Sequence, residues 1–121
     1  GRKIKGESME AKEFGAAVCK VLKDHKAENI VLIDVRGKTD ATDFFVVAGG
    51  RSMTHTRSLT EHVEEEMEKT GVSPVRTEGV REGRWAVLDY GDVIVHVFND
   101  ETRLFYHLEK LWDDGENVTA F

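Results

Sequence analysis

The side chains best suited to metal-assisted chemistry in this sequence are its carboxylates, and their spacing argues against such chemistry. Nucleotide transfer needs clustered carboxylates that hold Mg²⁺. A nucleotidyltransferase places Gly-Ser at the head of a helix and an Asp-x-Asp pair on the strand soon after. Positions 50–52 (GRS) imitate the first element imperfectly, and no Asp-x-Asp occurs. The pairs Asp89/Asp92 and Asp113/Asp114 lack the required placement on a strand. We therefore expect no catalytic residues and no enzymatic activity.

Other candidate sites are equally weak. The turn at 49–52 (GGRS) precedes a predicted helix, where backbone N–H groups could hold a phosphate, but the Walker lysine and G-x-G-x-x-G are absent. A plain turn with Ser52 as the helix N-cap is favoured. His55 and His62 border the apolar stripe of that helix, and Cys19 borders that of the first, so boundary and packing roles are favoured. We expect no metal site and no cofactor.

The composition of the chain limits the kinds of partner that it is expected to bind. The chain has 121 residues, 40% of them apolar, which fits one globular domain. Its 17 basic and 23 acidic residues give a formal net charge of −6. This charge disfavours direct, sequence-specific binding of nucleic acid and favours a basic protein surface. No apolar run reaches the ~18 residues of a membrane span. The single cysteine excludes an internal disulfide, so we expect a reducing, cytoplasmic compartment.

Hydrophobic periodicity predicts the order α-β-β-α-β-β-β-α, hence an α/β (α+β) fold with one five-stranded mixed sheet and flanking helices. Strand two, helix two and strand three are expected to form a parallel crossover. Residues 1–8 are expected to be a flexible tail or an expression remnant, 9–113 the domain and 114–121 a C-terminal tail. The predicted helices are Glu10–Lys26, one from Ser52 to Gly71, and one from near Asp100 to Gly115. The predicted strands are Asn29–Arg36, Phe44–Ala48, Pro74–Glu78, Trp85–Tyr90 and Val93–Phe98.

The last two strands form a predicted hairpin whose faces differ in character. With Gly91-Asp92 as the turn, one face is wholly apolar and must be the core: Ala86, Leu88, Tyr90, Val93, Val95 and Val97. The other face mixes aromatics with a carboxylate and an imidazole: Trp85, Val87, Asp89, Ile94, His96 and Phe98. Two interpretations remain open for this second face. It is either a second buried layer or a partly exposed surface that docks a partner.

Two stretches make the sequence recognisable, WAVLDYGDVIVHVF at 85–98 and FYHLEKLW at 105–112. Together they resemble the ribosomal silencing factor family, also called the Iojap-like proteins. The stretches 28–37 (ENIVLIDVRG) and 43–52 (DFFVVAGGRS) fit the same family. The resemblance covers roughly residues 9–112. It implies a fold related to the nucleotidyltransferases but without their metal-binding carboxylates.

The resemblance also implies a function. Such a protein would bind the large ribosomal subunit through its protein number fourteen, block joining of the small subunit and repress translation. Free family members often pair as homodimers, and organellar relatives act in assembly of the mitochondrial large subunit. The alternatives are a residual nucleotidyltransferase-like enzyme and an assembly adaptor without silencing activity. The expected partner-binding residues are Trp85, Asp89, Tyr90, Asp92, His96 and Phe98.

Overall fold

The structure is a computed structural model that describes residues 10–99 and 107–121. Within these ranges the helices are α1 (Ala11–Asp24), α2 (Met53–Glu68) and α3 (Leu108–Trp112). The strands are β1 (Glu28–Asp34), β2 (Phe44–Gly50), β3 (Arg76–Glu78), β4 (Trp85–Asp89), β5 (Val93–Asn99) and β6 (Val118–Ala120). The expected mixed α/β architecture is confirmed. Residues 1–8 and the expected start of the last helix near residue 100 lie outside the described ranges.

All six strands belong to one sheet in the order β3-β4-β5-β2-β1-β6. β2 and β5 run parallel, and the other neighbouring pairs are antiparallel. The prediction of five strands is wrong because residues 118–120, inside the expected C-terminal tail, pair with β1 as an edge strand. Asn117 holds this strand in place: its Nδ2 donates to the main-chain oxygens of Asp34 (2.9 Å) and Trp112 (2.8 Å). A strand of three residues has too little periodicity to be recognised in sequence.

The predicted crossover needs one correction. β2 is the parallel neighbour of β5, whereas β3 lies at the far edge and pairs with β4. After β2 the chain forms α2 and then β3 at the edge of the sheet. The β4–β5 hairpin lies between β3 and β2. Burial explains this order. Every residue of β3 is exposed, while most of β5 is buried, and only a strand apolar on both faces fits the middle of a covered sheet.

α1 and α2 cover one face of the sheet and enclose the main core. Phe14, Val18 and Leu22 recur at helical spacing on α1 and are fully buried. Gly15 lets this helix approach the sheet closely, since a Cβ there would lie 2.6 Å from a Leu32 methyl. The predicted N-cap of α2 is confirmed, because Ser52 Oγ accepts a hydrogen bond from the His55 N–H at 3.0 Å.

The opposite face of the sheet carries a second, smaller apolar layer. Its buried members are Ile33, Val35, Phe45, Val47 and Phe98. Partly buried side chains from β4, β5, α3 and β6 pack against it, among them Trp85, Ile94, Leu108, Trp112 and Val118. Within residues 10–99 and 107–121 this face of the sheet is covered only in part. Trp85, Val87 and Ile94 are half-buried, and Leu111 on α3 is 73% exposed.

Candidate partner-binding site

The β4–β5 hairpin adopts the predicted register. Ala86 pairs with Val97 and Leu88 with Val95, and the Tyr90 N–H donates to the Val93 oxygen at 2.9 Å across the turn. The six side chains expected on the core face are all buried. A two-residue turn and strict alternation are sufficient to fix the register, because a slip of one residue would expose this whole apolar set.

On the other face of the hairpin lies an open groove of about 410 Å³ between the sheet and α3. Its apolar lining includes Trp85, Val87 and Ile94 from the hairpin, Phe45 from β2, and Leu111 and Trp112 from α3. The rings of Phe45 and Trp112 lie 5.6 Å apart and join α3 to the sheet. Its polar lining consists of Arg76, Glu78, Asp89 and His96. We call this feature the hairpin groove. A concave apolar surface with a few polar groups is typical of a binding site.

At one end of the hairpin groove, Trp85 and His96 form a single unit. Trp85 Nε1 donates to His96 Nδ1 at 3.0 Å, and the indole stacks on Phe98 with ring centroids 4.9 Å apart. His96 is 8% exposed, and burial lowers the pKa of its imidazole to about 4. At neutral pH the ring is therefore uncharged, with Nδ1 as acceptor and the proton on Nε2. This bond orients the tryptophan at the edge of the groove.

At the other end, Asp89 is fixed by two partners. Its Oδ1 accepts the Gly91 N–H at 2.8 Å, and its Oδ2 accepts Arg76 Nη2 at 3.0 Å. The Asp89 side chain is 13% exposed, against 69% for Arg76. Asp92, three residues on, is instead part of the turn, where its main-chain oxygen accepts the N–H groups of Asp43 and Phe44, each at 3.1 Å. Within the described ranges, no three His, Cys, Asp or Glu side chains are close enough to hold a metal ion.

Of the six expected partner-binding residues, three line the hairpin groove: Trp85, Asp89 and the largely buried His96. Tyr90, Asp92 and Phe98 are buried, with exposures of 5%, 4% and 0%, and their part in partner binding stays a prediction. Tyr90 packs edge-on against Phe14 at 4.9 Å, and burial raises the pKa of its hydroxyl above the ordinary value. Phe98 forms the floor beneath Trp85. Tyr90, Asp92 and Phe98 are not among the residues that line the hairpin groove.

The residues that line the groove include three that were not predicted from the sequence: Leu111, Trp112 and Arg76. Leu111 and Trp112 belong to the apolar stripe of the last predicted helix, but the pattern does not reveal which surface that stripe covers. Arg76 gave no signal at all, because it lies on a short strand of three exposed residues. The exposure of Leu111, a mark of an interaction surface, is visible only in the structure.

The turn at residues 49–52, before α2, is held by hydrogen bonds to the side chain of His55. The Arg51 N–H donates to His55 Nδ1 at 3.0 Å, so Nε2 of the neutral ring carries the proton and donates to the His25 oxygen, also at 3.0 Å. The His62 ring stacks on that of His25 with centroids 3.6 Å apart. These contacts agree with the structural interpretation of the turn. Cys19 is fully buried, and burial raises the pKa of its thiol to about 12, as expected for a packing residue.

The sequence matches a family profile described as ribosomal silencing factor during starvation, over residues 8–120. The chain is 36% identical over 95 residues to ribosomal silencing factor RsfS of Halalkalibacterium halodurans, covering 78% of this chain and 81% of that protein. It is 34% identical over 103 residues to RsfS of Bacillus subtilis, covering 85% of each. A crystal structure of a Chromobacterium violaceum protein superposes with a TM-score of 0.83 at 33% identity, covering 86% of this chain and 87% of that one.

A further relative, from mouse, is named mitochondrial assembly of ribosomal large subunit protein 1. It is 32% identical over 95 residues, which are 76% of this chain and 42% of that protein. Separately, the described part of the chain holds no helix long and apolar enough to cross a membrane.

Proposed function

Since the chain belongs to the ribosomal silencing factor family, we propose that it binds the large ribosomal subunit through its protein number fourteen. Bound there, it sterically prevents association with the small subunit and so represses translation. The observation that carries the proposal is the family match over nearly the whole described domain. The proposed site of action is the cytoplasm, the proposed mode is binding without catalysis, and the free protein is proposed to pair as a homodimer.

The hairpin groove is the proposed contact surface. Its lining is mostly apolar, includes the aromatic side chain of Trp85, and contains the carboxylate of Asp89. Interfaces derive most of their affinity from a few aromatic or apolar anchors surrounded by polar groups. Exposed Leu111 supplies a further anchor on the opposite wall. The formal net charge of −6 supports a basic partner, because complementary charge speeds association.

Co-sedimentation with isolated ribosomal subunits in a sucrose gradient tests the partner. The protein should migrate with the large subunit and not with the small one. Equal distribution between the two would contradict the proposal. A second measurement follows light scattering when small subunits are added to large subunits preincubated with the protein, and the yield of joined ribosomes should fall.

A matched pair of variants tests the hairpin groove. Leu111→Asp puts a charge into the groove, and Val75→Asp puts the same charge at an equally exposed site outside it, since the two side chains are 73% and 72% exposed. Neither change removes a buried side chain, so both variants should fold. Leu111→Asp should weaken binding to the large subunit at least about tenfold, the loss typical of an interface anchor. Equal effects of the two variants would mean that the contact surface lies outside the hairpin groove.

The second candidate function is that of an assembly adaptor, which the name of the mouse relative favours. An adaptor would bind the large subunit and leave subunit joining intact, so the light-scattering measurement separates the two functions. A residual nucleotidyltransferase-like enzyme would instead be stabilised against thermal unfolding by nucleotide together with Mg²⁺.

A further inference from the structure

The ion pair between Asp89 and Arg76 is asymmetric. Asp89 is 13% exposed and is anchored through Oδ1 by the Gly91 N–H, so its carboxylate has a fixed position at the groove. Arg76 is 69% exposed, lies on a three-residue edge strand, and approaches the carboxylate from the solvent side. The carboxylate is the fixed half of the pair and the guanidinium the replaceable half.

We propose that the carboxylate of Asp89 is a binding site for a basic side chain of the partner, and that Arg76 occupies this site in the free protein. When a partner docks, its own arginine or lysine replaces Arg76 on Asp89 Oδ2 while a neighbouring apolar side chain enters the hairpin groove. This inference rests on the proposed function and specifies its partner chemistry: a basic residue next to an apolar one. Arg76 then moves into solvent; among the described residues, Asp89 is the one partner to which its side chain is hydrogen-bonded.

The groove itself provides the physical reasons. Asp89 borders apolar walls formed by Trp85, Ile94 and Leu111, so a docked partner would remove water from the carboxylate. A partner without a basic group cannot replace Arg76, so it would have to bury the existing ion pair at a desolvation cost and would bind less well. A partner with one exchanges one ion pair for another. The exchange therefore contributes selectivity, while the apolar contacts supply most of the affinity.

Replacing Arg76 should raise the affinity of the Asp89 carboxylate for a basic group from another molecule. In Arg76→Met the aliphatic stem remains and the competing charge is lost. The matched control is Arg84→Met, because Arg84 is 66% exposed, also pairs with an acidic side chain (Glu82, 3.3 Å), and does not line the groove. Both variants change the net charge equally, so general electrostatic steering affects them alike.

The first measurement needs no ribosome. Acetylated arginine amide is titrated into each protein while NMR follows the Gly91 amide, whose N–H donates to Asp89. Arg76→Met should bind this probe about fivefold more tightly than wild type, which corresponds to ~1 kcal/mol for one surface ion pair. Arg84→Met should match wild type. Equal probe affinity in all three proteins would overturn the inference, whatever the protein does on the ribosome.

The second measurement is affinity for isolated large subunits. Arg76→Met should bind about fivefold more tightly than Arg84→Met, and the gain should disappear when Asp89→Asn is added to each variant. Weaker binding by Arg76→Met would mean that Arg76 itself contacts the partner, and the inference would be wrong. If no protein binds the large subunit but the probe titration behaves as expected, the proposed function fails and the binding site for a basic group stands.

Discussion

His96 should account for part of the pH dependence of folding stability. Replacing it with glutamine isolates this contribution. In the unfolded chain an imidazole titrates near its ordinary pKa of 6.5, whereas in the folded protein burial lowers the pKa of His96 to about 4. Between these values the unfolded state binds more protons than the folded state, so stability falls as the pH falls. The loss begins below pH ~6.5 and ends near pH ~4.

The size of the effect follows from the two values. A difference of about 2.5 pKa units corresponds to ~3 kcal/mol, at 1.36 kcal/mol per unit. His96→Gln removes the titrating group and keeps a side-chain oxygen that can accept from Trp85 Nε1. Its absolute stability will differ from wild type, but the slope of stability against pH is the informative quantity. Other histidines and carboxylates are shared by both proteins and cancel in the comparison.

The assay is urea unfolding followed by circular dichroism at half-unit steps from pH 7 to 4. Wild type should lose ~3 kcal/mol more than His96→Gln over this range. NMR titration of the His96 ring provides a direct check, with an expected pKa of about 4. Parallel stability curves for the two proteins, or a ring that titrates near pH 6.5, would refute the assignment of His96 as a buried neutral acceptor.

Three further predictions concern folding stability and reactivity. Trp85→Phe removes the donor to the buried acceptor of His96 and should lower the free energy of unfolding in urea by ~1–3 kcal/mol; an unchanged midpoint would contradict this. Gly79→Ala and Gly37→Ala both place alanine at positive φ (68° and 80°), but the new Cβ collides with main-chain oxygen only at Gly79. The first should therefore melt well below the second, which should lose only ~1–2 kcal/mol. Cys19 should react with a thiol reagent only as fast as the protein unfolds, because the thiol is buried and its pKa is raised to about 12; rapid labelling of native protein would disprove this.

The two interpretations left open for the second hairpin face are not exclusive. Phe98 and His96 belong to a buried layer, as the first interpretation expected. Trp85 and Asp89 border an open groove, as the second requires. Within the described residues, α3 covers part of this face through Leu108 and Trp112, so one strand face can be covered at one place and open at another.

Features that depend on neighbours along the chain could be predicted from the sequence. Alternation about Gly91-Asp92 predicted the hairpin register and its core face, and Ser52 before an apolar stripe predicted the N-cap of α2. The hairpin and last-helix motifs indicated the family. These signals are local: a turn, a cap or a period of two acts within a few residues and needs no knowledge of the rest of the fold.

Which distant segments come into contact could be learned only from the three-dimensional structure. Asn117 docks a short strand against β1 by bonding the main chain of Asp34, 83 residues away, and Arg76 reaches Asp89 from an edge strand whose position follows from the burial of its neighbours. The burial of Tyr90 also depends on α1, since Phe14 covers it. Such contacts join residues far apart in sequence through exposed or very short segments, which have no periodicity from which the pairing could be inferred.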